Sequence, residues 1–152
     1  MKVRLLLAHS AEVQNGLLYV LGAGWTQIGP SPVPFAVAAI VEVTWEETNR
    51  PCRFEIVFED ADGPPLLVPT PAGDQPLRIG ADFVAGRPPD AAPGTSFTLP
   101  VAIPMAPVPF PPGRHCVVRA LVNGTEYDRL GFAVRPALAV PPGLPPQPPA
   151  PR

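Results

Sequence analysis

The sequence is poor in charge, in lysine and in long apolar runs. Charged residues make up only 16% of its 152 positions, against roughly a quarter in an average globular protein, and the net charge is −2. Such a chain lacks the basic stripe that nucleic-acid phosphates require. No stretch approaches the roughly 20 apolar residues of a membrane-spanning helix. We therefore expect neither nucleic acid nor a membrane as a partner.

Motifs that carry chemistry are also missing. The two histidines and two cysteines lack C-x-x-C or H-x-x-x-H spacing, so no metal site is expected. No nucleophile elbow, P-loop or dinucleotide-binding glycine motif is present, and we expect no catalytic residue, no cofactor and no enzymatic activity. A calcium site built from Asp60, Asp62 and Asp90 is an alternative, although the run from Asp60 to Gly63 is typical of a tight turn.

The start of the chain and its cysteines bear on location. Lys2 and Arg4 precede a short apolar run that stops at His9, short of the roughly 7–15 apolar residues of a secretory signal. We therefore expect a cytoplasmic protein in which Cys52 and Cys116 are reduced thiols. A disulfide that joins two sheets is the alternative.

Proline is abundant, with 26 residues, and period-two alternation of apolar residues runs along most of the chain. Proline donates no backbone hydrogen bond, so strands must be short and joined by stiff turns. Helical periodicity is absent, with one helical turn at most in the polar connector 8–14. Turn signals recur every 8–12 residues, which predicts an antiparallel, immunoglobulin-like β-sandwich of about seven to nine short strands. The rows expected to face inward are Val3, Leu5 and Leu7; alternate residues from Phe35 to Trp45; Phe54, Ile56 and Phe58; alternate residues of 77–83, 97–103 and 116–122; and Leu130, Phe132 and Val134.

Turn and edge signals refine this pattern. Asn15-Gly16 and Asn123-Gly124 suit two-residue hairpin turns, because both residue types tolerate positive φ. Pro100 and Pro104 lie on the outward side of their strand, and proline is tolerated at the edge of a sheet but not in its middle. We therefore expect the strand around residues 97–103 to be an edge strand.

Carboxylates alternate outward along the strand near residue 56. Glu55 and Glu59 share its outer side, and we expect them to pair across strands with Arg119 or Arg129. They are therefore interpreted as a solvated charged surface.

Composition divides the chain into two parts. Residues 1–135 carry the strand pattern and form the β-sandwich domain. Residues 136–152 contain eight prolines and too little apolar material to offset the entropy of ordering, so we expect a disordered or polyproline II tail. Such a tail is typical of a spacer; recognition by a proline-binding groove is the alternative.

Two classes of function stay open. The first is a non-catalytic binding or structural module that contacts an unknown protein partner or a second copy of itself, since free strand edges seek partners. Tryptophan and arginine are typical interface anchors. The residues selected for this surface are Trp25, Trp45, Glu46, Asn49 and Arg50. The alternative is a β-sandwich that binds a small carbohydrate or lipid ligand.

Five segments carry a family resemblance: Met1–Ala8, Gly16–Trp25, Trp45–Pro51, Gly86–Pro89 and Pro111–Arg114. They resemble a family of small uncharacterised actinobacterial β-sandwich proteins of unknown function. The resemblance covers about residues 1–135 and leaves out the tail. It implies a single β-sandwich domain without an assigned activity, and therefore transfers no functional residue.

Overall fold

The computed structural model describes residues 1–138, and their regular secondary structure is almost entirely β. Positions 139–152, which hold most of the expected disordered tail, lie outside the described residues. Within residues 1–138 there are twelve strands and one 3-10 turn, Trp45–Glu47. The strands are β1 Lys2–Ala8, β2 Ser10–Gln14, β3 Leu17–Leu21, β4 Gln27–Ile28, β5 Phe35–Val43, β6 Pro51–Asp60, β7 Leu67–Thr70, β8 Gly73–Pro76, β9 Arg78–Val84, β10 Phe97–Met105, β11 His115–Val122 and β12 Thr125–Val134.

The strands form two main sheets and two small hairpins. One sheet has the order β1-β5-β10 and the other the order β4-β12-β11-β6-β9, while β2-β3 and β7-β8 pair separately. Every pairing is antiparallel except the short one between β4 and β12. The expectation of an all-β, largely antiparallel fold is confirmed.

One apolar core joins the two main sheets. The inward rows expected on β1, β5, β6, β11 and β12 all contribute to it. Phe35 of the first sheet lies edge-on to Phe58 of the second, with ring centroids 6.2 Å apart. Phe110, from the proline-rich connection before β11, lies edge-on to Phe132 at 5.1 Å. Burial of each such side chain is worth about 1.5–3 kcal/mol, so this cluster stabilises the contact between the sheets.

The β2-β3 hairpin corrects one expectation. Residues 8–14 were expected to be a connector with at most one helical turn, but Ser10–Gln14 is a strand paired with β3 around Asn15-Gly16. Both turn residues have positive φ, 50° and 73°, as the turn requires. No residue of β2 is fully buried, so this strand shows no alternation by which to recognise it. The other short strands, β4, β7 and β8, also raise the count above seven to nine.

The two sides of the sandwich differ. On one side the outer edge of β1 is closed: the Leu5 N–H donates to Asp128 Oδ2 of β12 at 2.7 Å, and the Leu7 carbonyl accepts from the Gly24 N–H, in the loop before β4, at 3.0 Å. On the other side β9 and β10 each end a sheet. The expectation that β10 is an edge strand is therefore confirmed, and this second side of the sandwich is open.

Candidate functional site

Four of the residues selected from the sequence lie in the turn that follows β5. That strand was expected to reach Trp45 but ends at Val43. It is ended by a capping box, in which the Thr44 N–H and hydroxyl both donate to Glu47 Oε2, at 2.9 and 2.8 Å. Glu47 also accepts from the N-terminal amine at 2.8 Å.

The polar groups of this turn are largely engaged within the fold. The Arg87 guanidinium lies 3.8 Å above the centroid of the half-buried Trp45 ring, and it donates to the Trp45 carbonyl at 2.7 Å. Asn49 has a positive φ of 57° and binds residues 85 and 87 through its N–H and its side-chain oxygen. Glu46 and Arg50 are exposed. Trp45 and Asn49 therefore have structural contacts that explain their presence.

Trp25, the fifth selected residue, lies far from the other four. Its ring is edge-on to Phe35 at 6.0 Å and to Phe132 at 5.7 Å. Phe35 begins β5 and Trp45 follows its end, and nine residues of strand span roughly 30 Å. The five selected residues therefore do not form one surface.

Within residues 1–138, three exposed large apolar side chains lie together on one face of the β2-β3 hairpin. Leu17, Tyr19 and Leu21 occupy alternate positions of β3, so they share one face, and they are 60%, 49% and 72% exposed. We call these three residues the hairpin stripe. The sequence pattern does not indicate which face forms this stripe, because Leu17–Leu21 is apolar on both faces. A two-stranded hairpin can bury only one of its two faces. Apolar residues on both faces of β3 are therefore the sequence signal that indicates an exposed apolar face.

The opposite face of the hairpin lies over the first main sheet. Strand β2 runs close to β10 and β5. The outward-facing residues Ala36 and Ala38 of β5 are almost fully buried, which their small side chains permit under a third layer. Leu18 and Val20, on the inner face of β3, are half-buried. The hairpin stripe consequently points away from the body of the protein.

Two apolar clefts follow the open side of the sandwich. The first, of about 240 Å³, lies between β9 and β10 and is lined by Phe54, Phe83 and Leu99 among others. The second, of about 340 Å³, lies between Leu77 and Met105 at the other end of the same strands. Both volumes are at or below the low end of the roughly 300–1,000 Å³ of small-molecule sites.

The outer face of the five-stranded sheet carries ion pairs. The expected pairing of Glu59 is confirmed: Arg119 Nη1 lies 2.8 Å from Glu59 Oε1. For Glu55 the expected partners are wrong, since Arg78 donates to both its oxygens at 2.9 and 2.7 Å and Arg53 lies 3.3 Å away.

The strand register explains the partners of Glu55. Arg78 of β9 and Arg119 of β11 both lie opposite Val57, so each is a diagonal neighbour of Glu55 on the same face. Arg119 binds Glu59 and Glu126 instead, and Arg78 is left to bind Glu55. The hydrogen bonds from Arg78 hold the pKa of Glu55 below its ordinary value. Only 5% of Glu55 is exposed, so the expectation of a fully solvated carboxylate is also wrong.

Both cysteines are buried free thiols. Cys116 lies opposite Asp60 at one end of β6, while Cys52 lies near the other end of that strand, eight residues or about 26 Å away. The alternative of a disulfide between them is therefore wrong, because bridged Cα atoms lie within about 7 Å. Burial raises the pKa of Cys116 to about 11, which makes its thiol unreactive at neutral pH.

The Asp60–Gly63 segment is the expected tight turn. The Gly63 N–H donates to the Asp60 carbonyl at 2.8 Å, and Asp60 Oδ2 lies 3.6 Å from Arg114. Within residues 1–138, no three His, Cys, Asp or Glu side chains lie close enough together to hold a metal ion, so Asp60, Asp62 and Asp90 do not form the alternative calcium site. No helix in the described part of the chain has the length and hydropathy needed to cross a bilayer.

Comparison with known proteins identifies a family for this chain. No curated protein and no solved structure matches the chain. A family model matches residues 4–135, close to the segment 1–135 covered by the sequence resemblance. The chain belongs to DUF6941, a family of unknown function.

Proposed function

We propose that the protein is a non-catalytic protein-binding module whose docking surface is the hairpin stripe, Leu17, Tyr19 and Leu21. The observation that carries this proposal is the exposure of three adjacent large apolar side chains on one strand face. Exposed apolar residues scattered singly are ordinary, whereas a contiguous patch of them is typical of an interaction site.

The position of the stripe supports this proposal. The hairpin is a third layer outside the two-sheet core, so its outer face contributes little to folding. Tyr19 at the centre of the stripe is the kind of side chain that anchors interfaces, since it offers a large apolar ring and a hydroxyl donor. Leu17 and Leu21 flank it at the spacing of one strand face.

The chemistry of the hairpin defines the partner. Strand β3 pairs with β2 along one edge, and within residues 1–138 no strand pairs with its other edge. Glu12 is the single charged residue in the two strands. The surface therefore suits a partner protein that offers an extended, uncharged apolar segment, able to add a strand beside β3 and to place side chains over Tyr19.

Site-specific photo-crosslinking in the native cells tests the proposal. The chain has two tyrosines, both exposed: Tyr19 in the stripe and Tyr127 on β12, 49% and 39% exposed. Replacing Tyr19 with a photo-reactive phenylalanine analogue should give a discrete adduct with another protein, and the same replacement at Tyr127 serves as the matched control. Equal adducts from both positions, or none from position 19, would contradict the proposal.

A second candidate function is the binding of a small apolar ligand such as a lipid. The observation that favours it is the cleft of about 240 Å³ between β9 and β10, whose lining is apolar. Neither tryptophan supplies the open aromatic platform that a carbohydrate would favour, because Trp45 lies under Arg87 and Trp25 lies edge-on to two rings. Native mass spectrometry should then detect a co-purified lipid that Ala81→Trp, which fills the cleft, displaces. Absence of any co-purified lipid from the wild-type protein would exclude this candidate.

We further propose a cytoplasmic protein of actinobacterial origin with an immunoglobulin-like arrangement of its sheets. The two free thiols, Cys52 and Cys116, support the first of these, and the segments with family resemblance support the second. The two antiparallel-rich sheets around one core are compatible with the third.

A further inference from the structure

Strand β9 offers an unpaired backbone edge. The Phe58 N–H donates to the Leu77 carbonyl at 3.0 Å, which continues the register in which Ile56 faces Ile79. Hydrogen-bonded and non-bonded pairs alternate along an antiparallel ladder, so the backbone groups of Ile79 and Ala81 are turned toward β6. Arg78, Gly80 and Asp82 alternate with these residues, so their backbone N–H and C=O groups are turned away from β6, toward the free edge of the sheet.

The two free edges on the open side are not equivalent. On β10, Pro100 and Pro104 have no N–H to offer to another strand, which is a common way to block an edge. Strand β9 contains no proline, and within residues 1–138 no backbone hydrogen bond outside its ladder with β6 involves Gly80 or Asp82. Strand β9 is therefore the edge that is competent to pair.

We propose that β9 pairs with β9 of a second copy of this chain, antiparallel and centred on Gly80. A two-fold axis through Gly80 places Arg78 directly opposite Asp82 of the second copy, and Asp82 opposite its Arg78. Opposite charges at facing positions stabilise a strand pair. A shift that centres the pair on position 78 or 82 sets like charges face to face, so the charges select the register centred on Gly80.

The charged side of β9 accommodates this pairing. Each copy carries Asp82, Arg53, Glu55 and Arg78 in one row of ion pairs, with two charges of each sign. A Cβ at Gly80 would lie 2.9 Å from Glu55 Cγ, so the glycine lets the Glu55 side chain fold over the strand. Each Glu55 stays neutralised by two arginines of its own copy, and the second copy extends the row.

The other side of β9 is apolar. Ile79 and Phe83 are half-buried, whereas Ala81 is exposed although it faces the cleft. The proposed register sets Ile79 opposite Ala81 of the second copy at the close spacing of a non-bonded pair, about 4.5 Å between Cα atoms. Pairing thereby removes apolar surface from water on the open side, in addition to forming about six backbone hydrogen bonds.

The size of the contact sets the behaviour expected in solution. Five residues of each copy bury less than the roughly 1,200–2,000 Å² of a permanent complex. We therefore expect monomer and dimer in equilibrium, with the dimer fraction rising as the concentration of the full chain increases from micromolar to millimolar.

Charge-reversal variants test the pairing by sedimentation equilibrium on the full chain. Asp82→Lys alone, or Arg78→Glu alone, sets like charges opposite each other and should weaken self-association about tenfold or more. An equimolar mixture of the two variants restores both opposite-charge pairs and should recover the dimer. Asp62→Lys, in an exposed turn, is the matched control and should behave as the wild-type protein.

Hydrogen exchange provides a second readout that does not depend on the charge variants. In the wild-type protein the amides of Gly80 and Asp82 should exchange more slowly as concentration rises, while that of Ala102 on the other free edge should not change. A wild-type chain that stays monomeric at millimolar concentration, or a mixture of variants no better than either alone, would overturn the proposal. Loss of the dimer on Tyr19→Ser but not on Asp82→Lys would move self-association to the hairpin stripe.

Discussion

Replacement of Asp128 should open the closed side of the sandwich. Its Oδ2 accepts the N–H of Leu5 at 2.7 Å, on the edge of β1 that faces away from β5. Leu5 itself is 4% exposed, so the orphaned N–H would lie in a largely dry place. Because the acceptor is a carboxylate, Asp128→Ala should lower the free energy of unfolding by about 1.5–3 kcal/mol.

Asp128→Asn is the matched variant. An asparagine oxygen can accept the same hydrogen bond without the charge, so the expected loss is about 1 kcal/mol. Asp62→Ala, which removes a carboxylate from an exposed turn, should stay within about 0.5 kcal/mol of the wild-type protein.

Urea unfolding, followed by tryptophan fluorescence, measures these differences. Hydrogen exchange shows which part of the protein is destabilised. The Leu5 amide should lose protection in Asp128→Ala and keep most of it in Asp128→Asn. If both variants destabilised the protein equally, or if the alanine variant cost no more than Asp62→Ala, the role assigned to Asp128 in closing the sandwich would be refuted.

Three further predictions concern the core and the charged face. Phe58→Ala should destabilise the protein by about 3–5 kcal/mol in thermal or urea unfolding, whereas Phe83→Ala, at a half-buried position on the open side, should cost clearly less. At pH 8 a thiol reagent should leave Cys116 unmodified in the native protein and modify it in denaturant, because burial raises its pKa to about 11. The pKa of Glu55 is lowered in the folded state, so this group stabilises the fold above its unfolded pKa of about 4.5 and loses that contribution as the pH falls through its folded value. Glu55→Gln should therefore show a smaller loss of stability on acidification than the wild-type protein, and an unchanged slope would refute the pairing with Arg78.

The strands that are buried on one face could be predicted from the sequence. Phe54, Ile56 and Phe58 face the core, whereas Arg53, Glu55 and Glu59 lie on the opposite face of β6, which carries ion pairs. The prolines of β10 identified an edge strand for an equally direct reason, since proline cannot donate within a sheet. In both cases the local pattern reports the local environment.

Features that depend on strand order could not be predicted in this way. The partner of Glu55 depends on the register of β6 against β9, and the two strands are separated by a hairpin. Phe110 lies in a proline-rich connection without alternation, yet it joins the aromatic cluster of the core. Asp128 continues the inward row of Leu130 and Phe132. A carboxylate in an inward row is a sequence signal for a side chain that accepts a hydrogen bond inside the fold, here from the Leu5 N–H.

The candidate site illustrates the same limit. The run Leu17–Leu21 predicted a strand correctly, but it is apolar on both faces, so the sequence alone does not show which face is covered. That depends on the hairpin lying over Ala36 and Ala38. Two alanines in a strand do not by themselves indicate that another layer covers them. Trp45, by contrast, is an expected interface anchor from its residue type, but its ring lies under the Arg87 guanidinium.

The crosslinking yield at position 19, measured with and without its two leucine neighbours, tests the central claim most directly. Leu17→Ser and Leu21→Ser together remove the apolar flanks of the stripe, and at exposed positions they should change the free energy of unfolding by no more than about 0.5 kcal/mol each. We predict that the adduct formed from position 19 disappears while the melting temperature stays close to that of the parent. An adduct of the same mass and the same yield in the double variant would contradict a protein-binding role for this surface.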